Sequence, residues 1–320
     1  MNVREHLLAL QDELRRLKAE GQRSVSVDEE SLAALRAAVA ATPRPPGVAV
    51  AAVTSAAPAG VTETATSPVA PVVPVAAVAA VRQAAARSGP PPGSALLPAD
   101  PPVVNLPDGD KPARWAALRA LVLQHPVCQA HLRPGKQAVL GVGSLNARIF
   151  FCGEAPGAEE EVQGEPFVGP AGQLLTRMIQ AMGLSREEVY IGNIMNWRPE
   201  MPVNAAGVQF GNRPPTPEEL AFCLPFLRAQ LAIVQPQLIV ALGATAAGGL
   251  LGPGTFKALG EIRGRWHTFS GIPLMVTYHP SYILRNQSNR SKRMIWEDLL
   301  QVMDRAGLPV SDKQRGYFLG

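Results

Sequence analysis

Residues 148–176 read RIFFCGEAPGAEEEVQGEPFVGPAGQLLT. The apolar run Ile149 to Cys152 has the length of a short buried strand, and Gly153 ends it where the chain must turn over the edge of a sheet. Five carboxylates follow within twelve residues, from Glu154 to Glu165, then a Pro-Phe pair, then a small-residue helix start from Gly169 to Gly172. A loop of this kind, at the carboxyl end of a strand, is where open α/β sheets bind ligands.

Outward from this stretch, strand and helix patterns alternate. A helix is expected from about Lys111 to Leu123, then strand 148–152, helix 171–182, strand 189–193, helix 216–234, strand 238–242, helix 244–250, strand 273–278 and helix 291–306. Thr216-Pro217-Glu218-Glu219 carries a helix start: a capping hydroxyl, a proline in the first turn and acids near the positive helix end. Four apolar strands separated by helices predict a central four-stranded parallel sheet covered on both faces, an α/β three-layer αβα sandwich over residues 113–320.

The first 112 residues have a different composition. Val3, Leu7, Leu10, Leu14 and Leu17 recur at spacings of four and three, an amphipathic seam, and a second short helix ends near Ala41. Residues 1–41 thus form a helical segment that either packs on its own domain or docks on a protein partner. Residues 42–112 are rich in Pro, Ala and Val and lack aromatic anchors, so they are expected to be a disordered tether. No run of eighteen apolar residues occurs and acids sit among the bases of the amino terminus, so no membrane span, signal peptide or transit peptide is expected. Three cysteines are too few for a disulfide framework and point to a reducing compartment, a bacterial cytoplasm with the protein at the nucleoid, and a monomer is expected. Residues 113–320 hold 20 Lys and Arg against 15 Asp and Glu, and five of those acids lie in the quoted stretch, so the rest of the folded part suits a polyanion.

Six motifs stand in order, most of them close after a strand: Gly153-Glu154-Ala155-Pro156-Gly157, Gly164-Glu165-Pro166-Phe167-Val168-Gly169, Asn193, Arg198-Pro199, Asn212-Arg213 and His279-Pro280-Ser281-Tyr282. Together they resemble the uracil-DNA glycosylase superfamily over nearly all of residues 113–320, and most of all its type-4 branch, which usually carries an iron–sulfur cluster. The resemblance implies a monofunctional DNA repair glycosylase that hydrolyses the bond between uracil and deoxyribose, with uracil-containing DNA as its partner. Breaking that bond makes an oxocarbenium-like sugar and a uracil anion, so the site must stabilise both charges and position a water. On this reading His279 donates a hydrogen bond to uracil O2 and Glu154 orients the water. Phe167 stacks on the flipped base, Asn193 reads its O4 and N3 edge, and Glu160 stands near C5, where it would exclude thymine's methyl. Gly153 and Ala155 complete the base pocket. Tyr282 to Arg285 resembles the family's wedge loop, with Ser281, Asn212 and Arg213 as further DNA contacts. Taken singly, each has a plainer role: a structural histidine before a turn proline, a capping carboxylate, a core phenylalanine, and Ile283 with Leu284 closing the core.

Two departures from the family stand out. Type-4 relatives hold their cluster with four cysteines, and here only Cys128 and Cys223 match, while His125 and Trp197 occupy the other positions. Indole offers no metal ligand, so no iron–sulfur cluster, no metal and no other cofactor is expected, and Trp197 should fill the space by packing. The insertion Glu200 to Gly211 lacks the histidine by which one bacterial relative becomes covalently fixed to DNA, so turnover is expected. Two other classes stay open: a catalytically weak nucleic-acid-binding module of the same fold, tethered to a repair or replication complex, and an unrelated metal hydrolase built on the acid-rich loop, against which stands the lack of a histidine at metal spacing.

Overall fold

The computed structural model describes residues 97–98, 100–204, 209 and 211–319. The expected amino-terminal helices and most of the tether lie outside the described residues. A six-stranded sheet has the order β1-β3-β2-β4-β6-β5. Its centre is the expected parallel set: β2 (Ile149–Gly153), β3 (Tyr190–Asn193), β4 (Leu238–Leu242) and β6 (Ile272–Thr277). Every residue of β2, β3 and β4 is buried, which is why their sequences are continuous apolar runs rather than alternating ones.

Two antiparallel edge strands extend the expected four-stranded sheet to six. β1 (Val142–Gly143) pairs with β3, and β5 (Trp266–Phe269) pairs with β6. β1 is too short to leave a sequence pattern. β5 is half-exposed and joins β6 through Ser270 and Gly271, both at positive φ (50° and 81°), the geometry of a two-residue hairpin.

Helices cover both faces. On one face, Ile149 and Phe151 of β2 meet Leu175 and Ile179 of α4 (Pro170–Ala181) and Ile295, Leu299 and Val302 of α9 (Asn289–Arg305). On the other, Phe150 and Cys152 meet Leu227 and Leu231 of α5 (Pro217–Val234) and Ala246 and Leu250 of α6 (Ala244–Leu251). The alternation along β2 is the ordinary strand period, with large side chains on both sides because both sides are covered. α5 begins as expected: Thr216 accepts from Glu219 N while the Glu219 carboxylate accepts from Thr216 N.

The remaining helices are α1 (Lys111–Gln124), α2 (Pro126–Ala130), α3 (Ala158–Gln163), α7 (Leu259–Ile262), α8 (Pro280–Arg285) and α10 (Asp312–Arg315). α1 packs on α5, and Leu97, Val104 and Leu106 pack against the same cluster, so the packed part reaches upstream of the expected start at residue 113. Among the described residues no helix is long and apolar enough to cross a membrane. Because the four central strands run parallel, Gly153, Asn193, Gly243 and His279 come together at one edge of the sheet.

Candidate active site

A cavity of about 590 Å³ opens at that edge, lined among others by Glu154, Ala155, Phe167, Asn193, Gly243, His279 and Arg285. Gly153, the last residue of β2, lies directly behind two of these side chains. A Cβ at Gly153 would fall 2.3 Å from Asn193 Oδ1 and 2.5 Å from the Phe167 ring, so any side chain there would displace both groups. The structure therefore brings together Gly153, Glu154, Ala155, Glu160, Phe167, Asn193 and His279, the seven residues expected to form the base pocket and the chemical centre.

His279 follows β6 and caps α8. Its Nδ1 accepts from Ser281 N at 3.2 Å, which assigns the lone pair to Nδ1 and the proton of the neutral ring to Nε2. Burial, with Arg285 adding to it, pushes its pKa down to about 4, so the ring is neutral at physiological pH. The strand behind it is anchored from below: Thr277 donates to Asp298 at 2.6 Å, and Asp298 in turn accepts from Arg263.

Asn193 ends β3 opposite Gly153, and its Oδ1 is buried with no hydrogen-bond partner. A buried acceptor without a partner costs about 1–3 kcal/mol. On a residue that borders a cavity, such an acceptor can be satisfied by a bound ligand. Phe167 sits across the cavity, its ring centroid 5.6 Å from that of His279 with the planes 30° apart. Its φ is +55°, a left-handed conformation that costs a non-glycine residue on the order of 1–3 kcal/mol.

Several expected contacts take different parts. Glu160 lines the cavity, and its carboxylate is also engaged by the main chain around it. The two oxygens accept from Gly157, Val168 and Gly169 N, each at 3.0 Å, so the carboxylate closes the 157–169 loop. Asn212 and Arg213 line the cavity mouth but are engaged within the chain: Asn212 accepts from Arg198, and Arg213 makes a paired contact to buried Glu219 and donates to Glu200 O. These bonds tie down the base of the 200–211 insertion, where Met201 N and Pro199 O also meet the Gln209 side chain. Ser281 Oγ lies 2.9 Å from His279 Nδ1, which places it in service of the histidine. Tyr282 is stacked on Tyr278, with centroids 4.3 Å apart and planes 12° apart, and Ile283 is buried. Leu284 and Arg285 are the residues of this helix that face outward beside the cavity.

Sequence reasoning missed Gly243, Ala244 and Thr245, which line the cavity at the start of α6. The signal was present: Gly243 directly follows the apolar run 238–242, as Gly153 follows 149–152. Its φ of +95° and a would-be Cβ 3.1 Å from His279 Cβ show why glycine stands there.

Beyond β3 lies the corner where type-4 relatives place their cluster, and its donor set does not fit one. Trp197 is fully buried and its ring lies flat on His131, with centroids 4.7 Å apart and planes 1° apart. Phe222 packs against Trp197, and His125 meets Phe222 and Phe226 edge-on while accepting from Val127 N. Burial pushes the Cys128 thiol up to about 12 and raises the Cys223 thiol as well. Among the described residues, no three His, Cys, Asp or Glu side chains are grouped to hold a metal ion. His131, which stacks on Trp197 and reaches Glu200 at 3.0 Å, was not anticipated from the sequence.

Residues 140–300 match the sequence profile of the uracil DNA glycosylase superfamily. The type-4 uracil-DNA glycosylase of Thermotoga maritima is 43% identical over 175 residues, which span 54% of this chain and 84% of the relative. Those of Saccharolobus solfataricus and Pyrobaculum aerophilum are 38% and 36% identical, spanning 53% and 55% of this chain and 76% and 87% of their own lengths.

Proposed function

The chain belongs to the uracil-DNA glycosylase superfamily, and from that premise we infer that it excises uracil from DNA in base excision repair, leaving an abasic site. The observation that carries the substrate choice is the orphaned Asn193 Oδ1 beside Gly153. Uracil offers an N3–H donor next to the O4 acceptor, and one amide can satisfy both. Cytosine presents the opposite pattern, an acceptor at N3 and a donor at the neighbouring amine, and leaves the amide unmatched.

The remaining residues supply the chemistry. The base, flipped out of the stack, lies against Phe167 with its O2 toward His279 Nε2–H. As the N1–C1′ bond breaks, its electron pair moves onto the uracil ring, and the neutral imidazole stabilises the growing charge on O2 by donating a hydrogen bond. Glu154 orients the water that attacks C1′ and balances the positive sugar. No amine is drawn into the reaction, so the enzyme is monofunctional.

Leu284 is the apolar residue placed to enter the gap left by the base, with Arg285 beside it for the phosphates. The reaction runs without an iron–sulfur cluster, which the packed corner around Trp197 replaces. The protein acts as a monomer at the nucleoid of a bacterial cytoplasm, and residues 1–41 serve a protein partner. The non-catalytic module is disfavoured, because the relatives are named as glycosylases and the candidate chemical groups line one cavity.

The test is excision from a uracil-containing oligonucleotide, read by alkaline strand cleavage. Wild type cleaves at uracil and leaves cytosine and thymine intact. Glu154→Ala and His279→Ala each lose about 100-fold or more. Near-normal activity in both variants would overturn this assignment of roles.

A further inference from the structure

Phe167 is a large residue in a backbone conformation that favours glycine, at the centre of the base pocket. Such a conformation persists only if its surroundings hold it, and three contacts do so from different elements. Before it, Arg186, in the turn between α4 and β3, donates through Nη2 to Pro166 O. After it, Val168 N and Gly169 N donate to Glu160, on α3. Beneath it, the first turn of α4 presses so close that a Cβ on Gly172 would lie 1.8 Å from Phe167 O.

Arg186 has no part in the chemistry and does not line the base cavity. Its other terminal nitrogen, Nη1, is buried without a partner, and Glu165, Glu187 and Glu160 are the carboxylates in its electrostatic neighbourhood. Burying one guanidinium nitrogen without a partner to reach a main-chain carbonyl is costly, which gives weight to that carbonyl's position.

We propose that Arg186 and Glu160 are positioning residues that grip the main chain on either side of Phe167 and hold its ring ready to stack on the extruded base. The inference rests on the glycosylase reading of this pocket. It adds to the expected role of Glu160 as a screen against thymine's methyl a role exerted through Phe167. Preorganisation of this kind is felt wherever the stacked base is bound, in the reacting complex and in the complex with free uracil.

The experiment is a double-mutant cycle on the full chain, with three readouts: single-turnover excision rate at saturating enzyme, inhibition by free uracil, and melting temperature. Arg186→Met lowers the rate and weakens uracil inhibition, each by about tenfold. Arg186→Lys, which keeps one donor for Pro166 O, restores most of both. In a Phe167→Ala background, Arg186→Met costs nothing further, because the residue through which it acts is gone. Gly172→Ala, which disturbs Phe167 from the helix side, reproduces the loss of uracil inhibition. Additive losses in the cycle would overturn the proposal, as would a fall in melting temperature with uracil inhibition unchanged. A wild-type protein that does not cleave uracil-containing DNA would sink the glycosylase reading instead. The cycle would then be read on free-uracil binding alone, where additivity still decides against the grip.

Discussion

Asn193 and Trp197 stand four residues apart on either side of one strand end, and the regions they occupy treat buried polar atoms in opposite ways. In the base pocket, Asn193 lines a cavity of about 590 Å³ and its buried Oδ1 lacks a partner. In the corner, Trp197 Nε1 and His131 Nε2 also lack partners, but their rings lie face to face at 4.7 Å. An orphaned acceptor on a residue that borders a cavity can be satisfied by a bound ligand. An orphaned atom sealed under a stacked ring is a cost that the surrounding apolar packing must offset. The same strand end thus carries a site that is completed from outside and a core that is completed from within.

The largest expected effect separates the two. Trp197→Ala removes a fully buried indole and should cost about 3–5 kcal/mol in denaturant unfolding, while the folded fraction keeps an excision rate within about twofold of wild type. Full stability with lost activity would show that the corner serves the chemistry.

Smaller in reach is the effect of pH. With its pKa near 4, His279 keeps its working tautomer from alkaline pH down to about pH 5, and the excision rate should be flat there with respect to this group. Below about pH 4 a proton on Nδ1 would oppose Ser281 N–H, and the rate should fall about tenfold per unit. The stability sign follows from the depressed value. An unfolded histidine takes up its proton near pH 6.5, before the folded one does, so this group's contribution declines as pH drops from about 6.5 to about 4 and is constant above that window. A rate that titrates near 6.5 and keeps doing so in Ser281→Gly would contradict the neutral-donor reading.

The smallest expected effect is none at all. Dialysis against an iron chelator should leave both activity and melting temperature unchanged, and elemental analysis should find no stoichiometric iron. Loss of stability on chelation would mean that the corner holds a metal despite its donor set.

Much of this was legible without coordinates. The four parallel strands follow from apolar runs that end in Gly153, Asn193, Gly243 and the Tyr278-His279 pair, since covered strands must be apolar throughout. Glu154, Asn193 and His279 stand next to or shortly after such a run, while Phe167 and the roles of all four were legible only through the resemblance of the motifs to the glycosylase superfamily. The edge strands were not, because two residues of β1 carry no period and β5 is half in water. Nor were the parts played by charged side chains. Glu160, Glu161 and Arg213 are ordinary loop charges in sequence, yet each is spent on a partner within the chain: loop amides for Glu160, Arg133 and Arg198 for Glu161, and Glu219 for Arg213.

The sequence by itself determined the layered α/β architecture and the edge of the sheet to which the motifs are brought. These depend on residue type, order along the chain and periodicity, which are local properties. Only the tertiary structure decided that Glu160 grips a loop, that Arg186 reaches the carbonyl before Phe167, that His131 rather than His125 covers Trp197, and that Phe167 is held at positive φ. Those outcomes depend on which distant segments meet, and a long charged or aromatic side chain carries no mark of its partner until packing has chosen one.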